Sequence, residues 1–117
     1  MKKVLSIILL LAAQPVFADP MKKEIDYLMN YISVSSCLFD RNGNEYSGVD
    51  AVEHIKKKYD YFKSKIDSAE KFIDLSAARS SMSKKPYQIK CAGEDVVTSK
   101  AWLLQELERY RTTSGKT

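Results

Sequence analysis

Apolar residues recur along this chain at three spacings, and each predicts a different kind of element. The first is a continuous run, with Val4 to Ala13 almost wholly apolar. The second has the period of an α-helix. Between Lys22 and Val34, Ile25, Leu28, Met29 and Ile32 stand at i, i+3, i+4 and i+7, which predicts an amphipathic helix. Ser35 and Ser36 end it, because their hydroxyls compete for nearby backbone groups. Val52, Ile55, Tyr59, Phe62 and Ile66 follow at alternating spacings of three and four, the strongest periodic signal in the sequence. Ser47, with Asp50 three residues later, resembles a capping pair at the start of this helix, and Lys56, Lys57 and Lys58 fall on its solvated face. Ser68 caps a shorter helix over residues 69–78 that buries Phe72, Ile73 and Ala77. Ser99 caps the last helix, with Trp102 or Leu103, Leu104, Leu107 and Tyr110 turned inward, and residues 112–117 read as a flexible tail.

The third spacing is the period of two that marks a strand. Cys37-Leu38-Phe39 reads as a short strand and Arg41-Asn42-Gly43-Asn44 as a turn whose Asn-Gly pair supplies positive φ. Glu45-Tyr46 begins the return strand, and Tyr87 to Cys91 alternates as a further, half-buried one. A polar loop from Arg79 to Pro86 precedes that strand and carries Ser80, Ser81 and Ser83; Ala92-Gly93-Glu94-Asp95 turns after it. The order is helix, hairpin, two helices, strand, helix. It predicts a small single α+β domain over residues 19–111, about four helices with a small antiparallel sheet made of the hairpin and one or two further strands.

The apolar run at the start changes what the totals mean. Lys2 and Lys3 precede it, and Gln14-Pro15-Val16-Phe17-Ala18 follows it with Val16 and Ala18 where a signal peptidase reads. Residues 1–18 therefore read as an export signal cleaved after Ala18. The run of about ten residues falls short of the roughly 20 that a membrane span needs, and no later stretch is long or apolar enough. Removing 18 of the 117 residues leaves 99, with 17 basic side chains against 15 acidic ones. Export and a net charge near balance argue against a nucleic-acid partner. In an exported chain the two cysteines, Cys37 and Cys91, are expected to form one disulfide. Such a bridge needs their Cα atoms within about 7 Å, which brings the Tyr87–Cys91 strand close to the hairpin. With no CxxC spacing and a single histidine, no metal site is expected.

No coherent catalytic set emerges. Ser81-Met82-Ser83-Lys84 matches the S-x-x-K motif of penicillin-binding proteins. With 12 serines and 13 lysines in 99 residues, however, about 1.6 such matches arise by chance and two occur, so the match carries no information. An enzyme reading, a small envelope hydrolase, needs a serine of the 80–83 loop such as Ser81 as nucleophile, with Lys84 or with His54, the one candidate base for a triad, oriented by an acid. Beside the apolar stripe of its helix, His54 reads more simply as a packing or tethering residue. No cofactor is expected. Seven tyrosines are a high count for this length and read mainly as core rings with the hydroxyl at the rim.

Several of these residues together resemble a known family. Cys37, Phe39, Arg41-Asn42-Gly43 and Tyr46, then Ala51, His54-Ile55 and Lys58-Tyr59, then Phe72-Ile73 lie in its pattern. So do Ser80-Ser81, Ser83, Pro86-Tyr87, Ile89, Cys91 and Trp102-Leu103. The chain resembles the YfeK-like family of small exported proteins from Gram-negative bacteria, a domain of unknown function. The resemblance implies a periplasmic address and the disulfide, and no mechanism. Ser83-Lys84-Lys85-Pro86-Tyr87 is also similar to the S-G-x-x-Y loop of periplasmic lysozyme inhibitors, with Lys84 in place of the glycine. The expected function is a non-enzymatic periplasmic interaction domain, with lysozyme inhibition as its alternative. Its expected contact surface is Arg41, Asn42, Ser80, Ser81, Ser83, Lys84, Lys85 and Tyr87, and its partner an envelope protein or a cell-wall component.

Overall fold

Asp19 opens the described structure by capping a helix: its carboxylate accepts from the Met21 amide, and Pro20 fits the first helical position because its missing N–H would have no partner there. The computed structural model describes residues 19–114. Its elements are α1 (Pro20–Val34), β1 (Leu38–Arg41), β2 (Asn44–Tyr46), α2 (Gly48–Phe62), α3 (Ala69–Phe72), β3 (Gln88–Lys90), β4 (Val97–Thr98) and α4 (Ser99–Ser114). A 3₁₀ turn, Lys63–Lys65, follows α2, and α3 runs on into a π-helical turn, Ile73–Ala77. This is the expected α+β domain, with a single disulfide between Cys37 and Cys91, whose Cα atoms are 4.4 Å apart. The proposed export signal lies outside the described residues.

The sheet is antiparallel throughout, in the order β2-β1-β3-β4. Asn42 and Gly43, both at positive φ, close the β1–β2 hairpin, and Asp40 accepts from the Gly43 amide across it. Phe39 faces Ile89 across β1 and β3, and both are buried against the helices. On the other face Lys90 pairs with Asp40 and Glu45, a solvated cluster. The helices supply the rest of the core: Ile25, Leu28 and Ile32 from α1, Ala51, Val52 and Ile55 from α2, Phe72 and Ile73 around α3, and Leu103 and Leu107 from α4. Gly48 begins α2 where a Cβ would stand 2.1 Å from the Ile32 carbonyl oxygen, so the α1–α2 corner requires glycine.

Four details differ from the sequence expectation. The α4 cap is Thr98, whose hydroxyl accepts from the Ala101 amide; Ser99 is already helical and its amide donates to the Tyr87 carbonyl instead. α4 continues three residues into the expected tail, to Ser114, with Thr112 and Thr113 hydroxyls donating to the Arg109 carbonyl; residues 115–117 lie outside the described ones. α2 stops at Phe62, so Ile66 reaches the core from extended backbone after the 3₁₀ turn. Most consequential, Lys58 is not on the solvated face. It is 9% exposed, because the π-helical turn and the chain that runs from it to Arg79 cover that side of α2.

Candidate functional site

The period of two that buries Phe39 and Ile89 also carries polar residues onto the inner face of the sheet. Arg41 is two residues beyond Phe39, Tyr87 is two residues before Ile89, and Tyr46 sits opposite Phe39. All three therefore point to the helical side, past the end of the apolar core. His54 and Lys58, one helical turn apart on α2, rise to meet them. Residues 80–82 close the top. The result is a cleft of about 360 Å³ lined by Arg41, Asn42, Asn44, Tyr46, His54, Lys58, Ser80, Ser81, Met82 and Tyr87.

The loop over the cleft is built by its own hydrogen bonds. The Lys84 amide donates to the Ser80 carbonyl and the Ser80 amide to the Lys85 carbonyl. The Ser80 hydroxyl accepts from the Ser83 amide, and the Ser83 hydroxyl accepts from the Lys85 amide. Ser83 also donates to the Asn42 side-chain carbonyl at 3.0 Å, which ties the loop to the hairpin turn. Its two ends are pinned by the Arg79–Pro86 bridge and by the Tyr87 amide on the Ala78 carbonyl. Lys84 turns the chain at φ +64.

At the floor, Lys58 Nζ donates to the Arg79 carbonyl at 2.6 Å and to the Tyr87 hydroxyl at 3.4 Å. An ammonium only donates, so Tyr87 accepts from it and its own O–H is free for His54 Nε2, 3.3 Å away. Burial, with Arg41 and the neighbouring lysines, pushes His54 down to about 4, so near neutral pH the imidazole is uncharged and suited to accept that proton. Burial first, then Arg41, Arg79 and Lys84, lower the Lys58 ammonium to about 8. Burial likewise raises the Tyr87 phenol. The Arg41 guanidinium stacks over the Tyr46 ring at 4.3 Å, and its Nε is buried with no hydrogen-bond partner.

The cleft thus gathers Arg41, Asn42, Ser80, Ser81, Tyr87 and His54. Ser83, Lys84 and Lys85 stand outside its lining, on the braced outer limb of the loop. The sequence reading missed Lys58, Tyr46, Asn44 and Met82. Lys58 had a signal: it lies three residues after Ile55 and seven after Ala51, on the flank of the buried stripe. Of the other tyrosines, Tyr27, Tyr31 and Tyr110 form a ladder of rings with Trp102 across α1 and α4, and Tyr61 is 80% exposed.

Comparison with known proteins adds a family to this geometry. The profile of a family of unknown function, DUF5329, matches residues 19–111. The chain belongs to the DUF5329 family. The chain is also similar to the uncharacterized protein YfeK of Salmonella typhimurium, at 35% identity over 92 residues, covering 74% of this chain and 77% of that protein. No solved structure matches. For this DUF5329 member the chemistry of the cleft must be read from its own residues. Among the described residues no three His, Cys, Asp or Glu side chains come together as metal ligands would, and no helix is long and apolar enough to cross a membrane.

Proposed function

We propose that this protein is a non-enzymatic binding domain of the periplasm, exported by the signal at residues 1–18, and that it holds its partner in the cleft beneath residues 80–82. The observation that supports this reading is the lining itself: side-chain donors and aromatic rings around a space suited to one end of a ligand, under a loop that is already ordered. A loop with its bonds made loses little conformational entropy when a partner binds. The geometry offers less to a hydrolase, since among the described hydrogen bonds His54 is engaged by Tyr87 and by no serine.

Affinity capture from cell-envelope extract tests the proposal. The mature protein should retain an envelope component that a Tyr46→Ala/Met82→Asp variant releases, while Tyr61→Ala, altered on the far end of α2, retains it. Equal capture by all three would sink the reading.

One observation favours the second reading, lysozyme inhibition. Lys84 occupies the glycine position of the S-G-x-x-Y pattern and adopts the left-handed conformation a glycine would supply. The cations of the loop match the two carboxylates of a lysozyme cleft. Lysozyme activity that stays unchanged under excess mature protein removes this reading.

A further inference from the structure

The cleft has an electrostatic property that its hydrogen bonds do not satisfy. Arg41 and Lys58 both line it, and no carboxylate does. The nearby acids are committed elsewhere: Asp40 and Glu45 pair with Lys90 on the opposite face of the sheet, and Asp74 pairs with Arg79 and Lys100. Lys58, with only 9% of its surface exposed, has two acceptors for three N–H donors. Arg41 Nε is buried and has none. A buried donor without an acceptor is rare in folded proteins, and Arg41 Nε, beside the ammonium of Lys58 and an open cleft, points to an acceptor that arrives from outside.

We propose that the cleft is a receptor site for the carboxylate of a peptide, held between Arg41 and Lys58. This rests on the reading of the cleft as the binding surface and names what enters it. Two observations favour a peptide carboxylate over a phosphate. Phosphate sites commonly use several converging backbone N–H groups; here the amides of Ser80, Ser83, Lys84 and Lys85 are spent inside the loop, which leaves at most those of Ser81 and Met82 to face the cleft. The cleft also exceeds a bare oxyanion: at about 360 Å³, with Tyr46, Tyr87 and the 94%-exposed Met82 around it, it has room for an organic body behind the charged end. Asn42, Asn44 and Ser81 are placed to meet the amides that adjoin a peptide's carboxylate.

The groups facing Lys58 come from every element around it: Arg41 on β1, Tyr46 on β2, the neutral His54 on α2, Arg79, Lys84 and Tyr87 from the loop and the chain beside it, and, on the π-helical turn packed against α2, Asp74, which Arg79 and Lys100 hold. With Asp74 already paired to Arg79 and Lys100, a bound carboxylate relieves the repulsion on Lys58 and strengthens its protonation. Raising the pH discharges Lys58, leaves Arg41 charged, and weakens the site.

The test is an NMR titration of the labelled mature protein with N-acetyl-Ala-Ala, its C-terminal amide, and inorganic phosphate. The free acid is expected to shift resonances of Arg41, Lys58 and residues 80–82 with a roughly millimolar Kd. It should bind about tenfold more weakly near pH 9.5 than near pH 7, as Lys58 loses its proton. Arg41→Gln and Lys58→Met should each abolish the shifts in a chain whose remaining spectrum shows it folded, and Tyr61→Ala should not. Equal binding of the amide, tighter binding of phosphate at the same residues, or no shift at tens of millimolar peptide each overturns the proposal. If the peptide fails while envelope capture still depends on Tyr46 and Met82, the carboxylate inference falls and the binding reading stands. Capture that ignores the cleft sinks the binding reading, whatever the peptide does.

Discussion

Lys58 makes a prediction about stability that needs no ligand. Its ammonium is buried on α2 beneath Arg41, Arg79 and Lys84, and folding lowers its pKa from 10.5 to about 8. In the unfolded chain the ordinary value returns. Between these two values the unfolded state therefore binds more protons than the native one, and stability rises with pH. Below about pH 8 both states are charged and the cost of burying the charge is fully present; above the unfolded value both are neutral and the cost is gone. At about 1.36 kcal/mol per pKa unit, the gain from pH 7 to pH 9.5 comes to about 2 kcal/mol. Tyr27, Tyr31 and Tyr87 have raised pKa values and act in the opposite sense at higher pH, so the measurement stops near pH 9.5. Urea unfolding of the chain from Asp19 onward and of its Lys58→Met variant across that range isolates the effect, because Tyr27 and Tyr31 lie away from Lys58 and contribute equally to both, while Tyr87, which accepts from Lys58, is raised above its ordinary 10.0 and keeps its proton over the range. Lys58→Met leaves the Arg79 carbonyl without its donor, a loss of about 1–3 kcal/mol that offsets relief of the buried charge at neutral pH. The decisive quantity is thus the slope and not the offset: the wild type should gain about 2 kcal/mol on the variant between the two pH values. Parallel stability curves would show that Lys58 is not held in a charge-hostile site.

Further outcomes follow from other parts of the fold. The Cys37→Ser/Cys91→Ser variant should lose about 4 kcal/mol in urea unfolding, the chain-entropy value for a bridge spanning 54 residues, and a loss under about 1 kcal/mol would refute that account. Gly48→Ala sets a methyl against the Ile32 carbonyl and should cost about 1–3 kcal/mol by separating α1 from α2, despite alanine's better helix propensity; a neutral thermal melt would contradict it. Ser76→Ala removes a fully buried hydroxyl that has no hydrogen-bond partner, and should raise stability by about 0.5–1 kcal/mol. His54 is held down to about 4, so its unfolded form protonates first as the pH falls below 6.5. Stability should decline over that window in the wild type and decline less in His54→Gln.

Much of the fold was legible because its elements obey short-range rules. The four-residue spacings of α1 and α2, the Asn42-Gly43 turn and the Ser47 and Ser68 caps each report on neighbours in sequence, and each stands where the pattern put it. The two cysteines supplied the one long-range distance. What stayed hidden depends on contacts between distant segments. Lys58 looked like the third residue of a solvated lysine run, and only the packing of the π-helical turn and the Arg79 carbonyl over α2 buries it. β4 is two residues long and exists because β3 offers it an edge. The candidate loop was found for its serines, yet the residues that give the cleft its charge are Arg41 and Lys58, on elements that read as ordinary hairpin and helix.

The two cations of the cleft also fix the direction in which any ligand acts. The disulfide beside β1 and β3, the Arg79–Pro86 bridge and the Ser83–Asn42 hydrogen bond hold Arg41 and Lys58 together against their repulsion, which is a cost to the fold. Natural chains sit only about 5–15 kcal/mol above unfolding, and a cost of this kind persists where the site is used. An acceptor that binds the native cleft and not the unfolded chain removes part of the cost and adds its own binding energy. Saturation at about 100 times Kd should stabilise the protein by about 2.7 kcal/mol. That rise must disappear in Arg41→Gln and shrink as Lys58 discharges above pH 8. A ligand that stabilises the protein equally at neutral and alkaline pH is binding somewhere other than against Lys58.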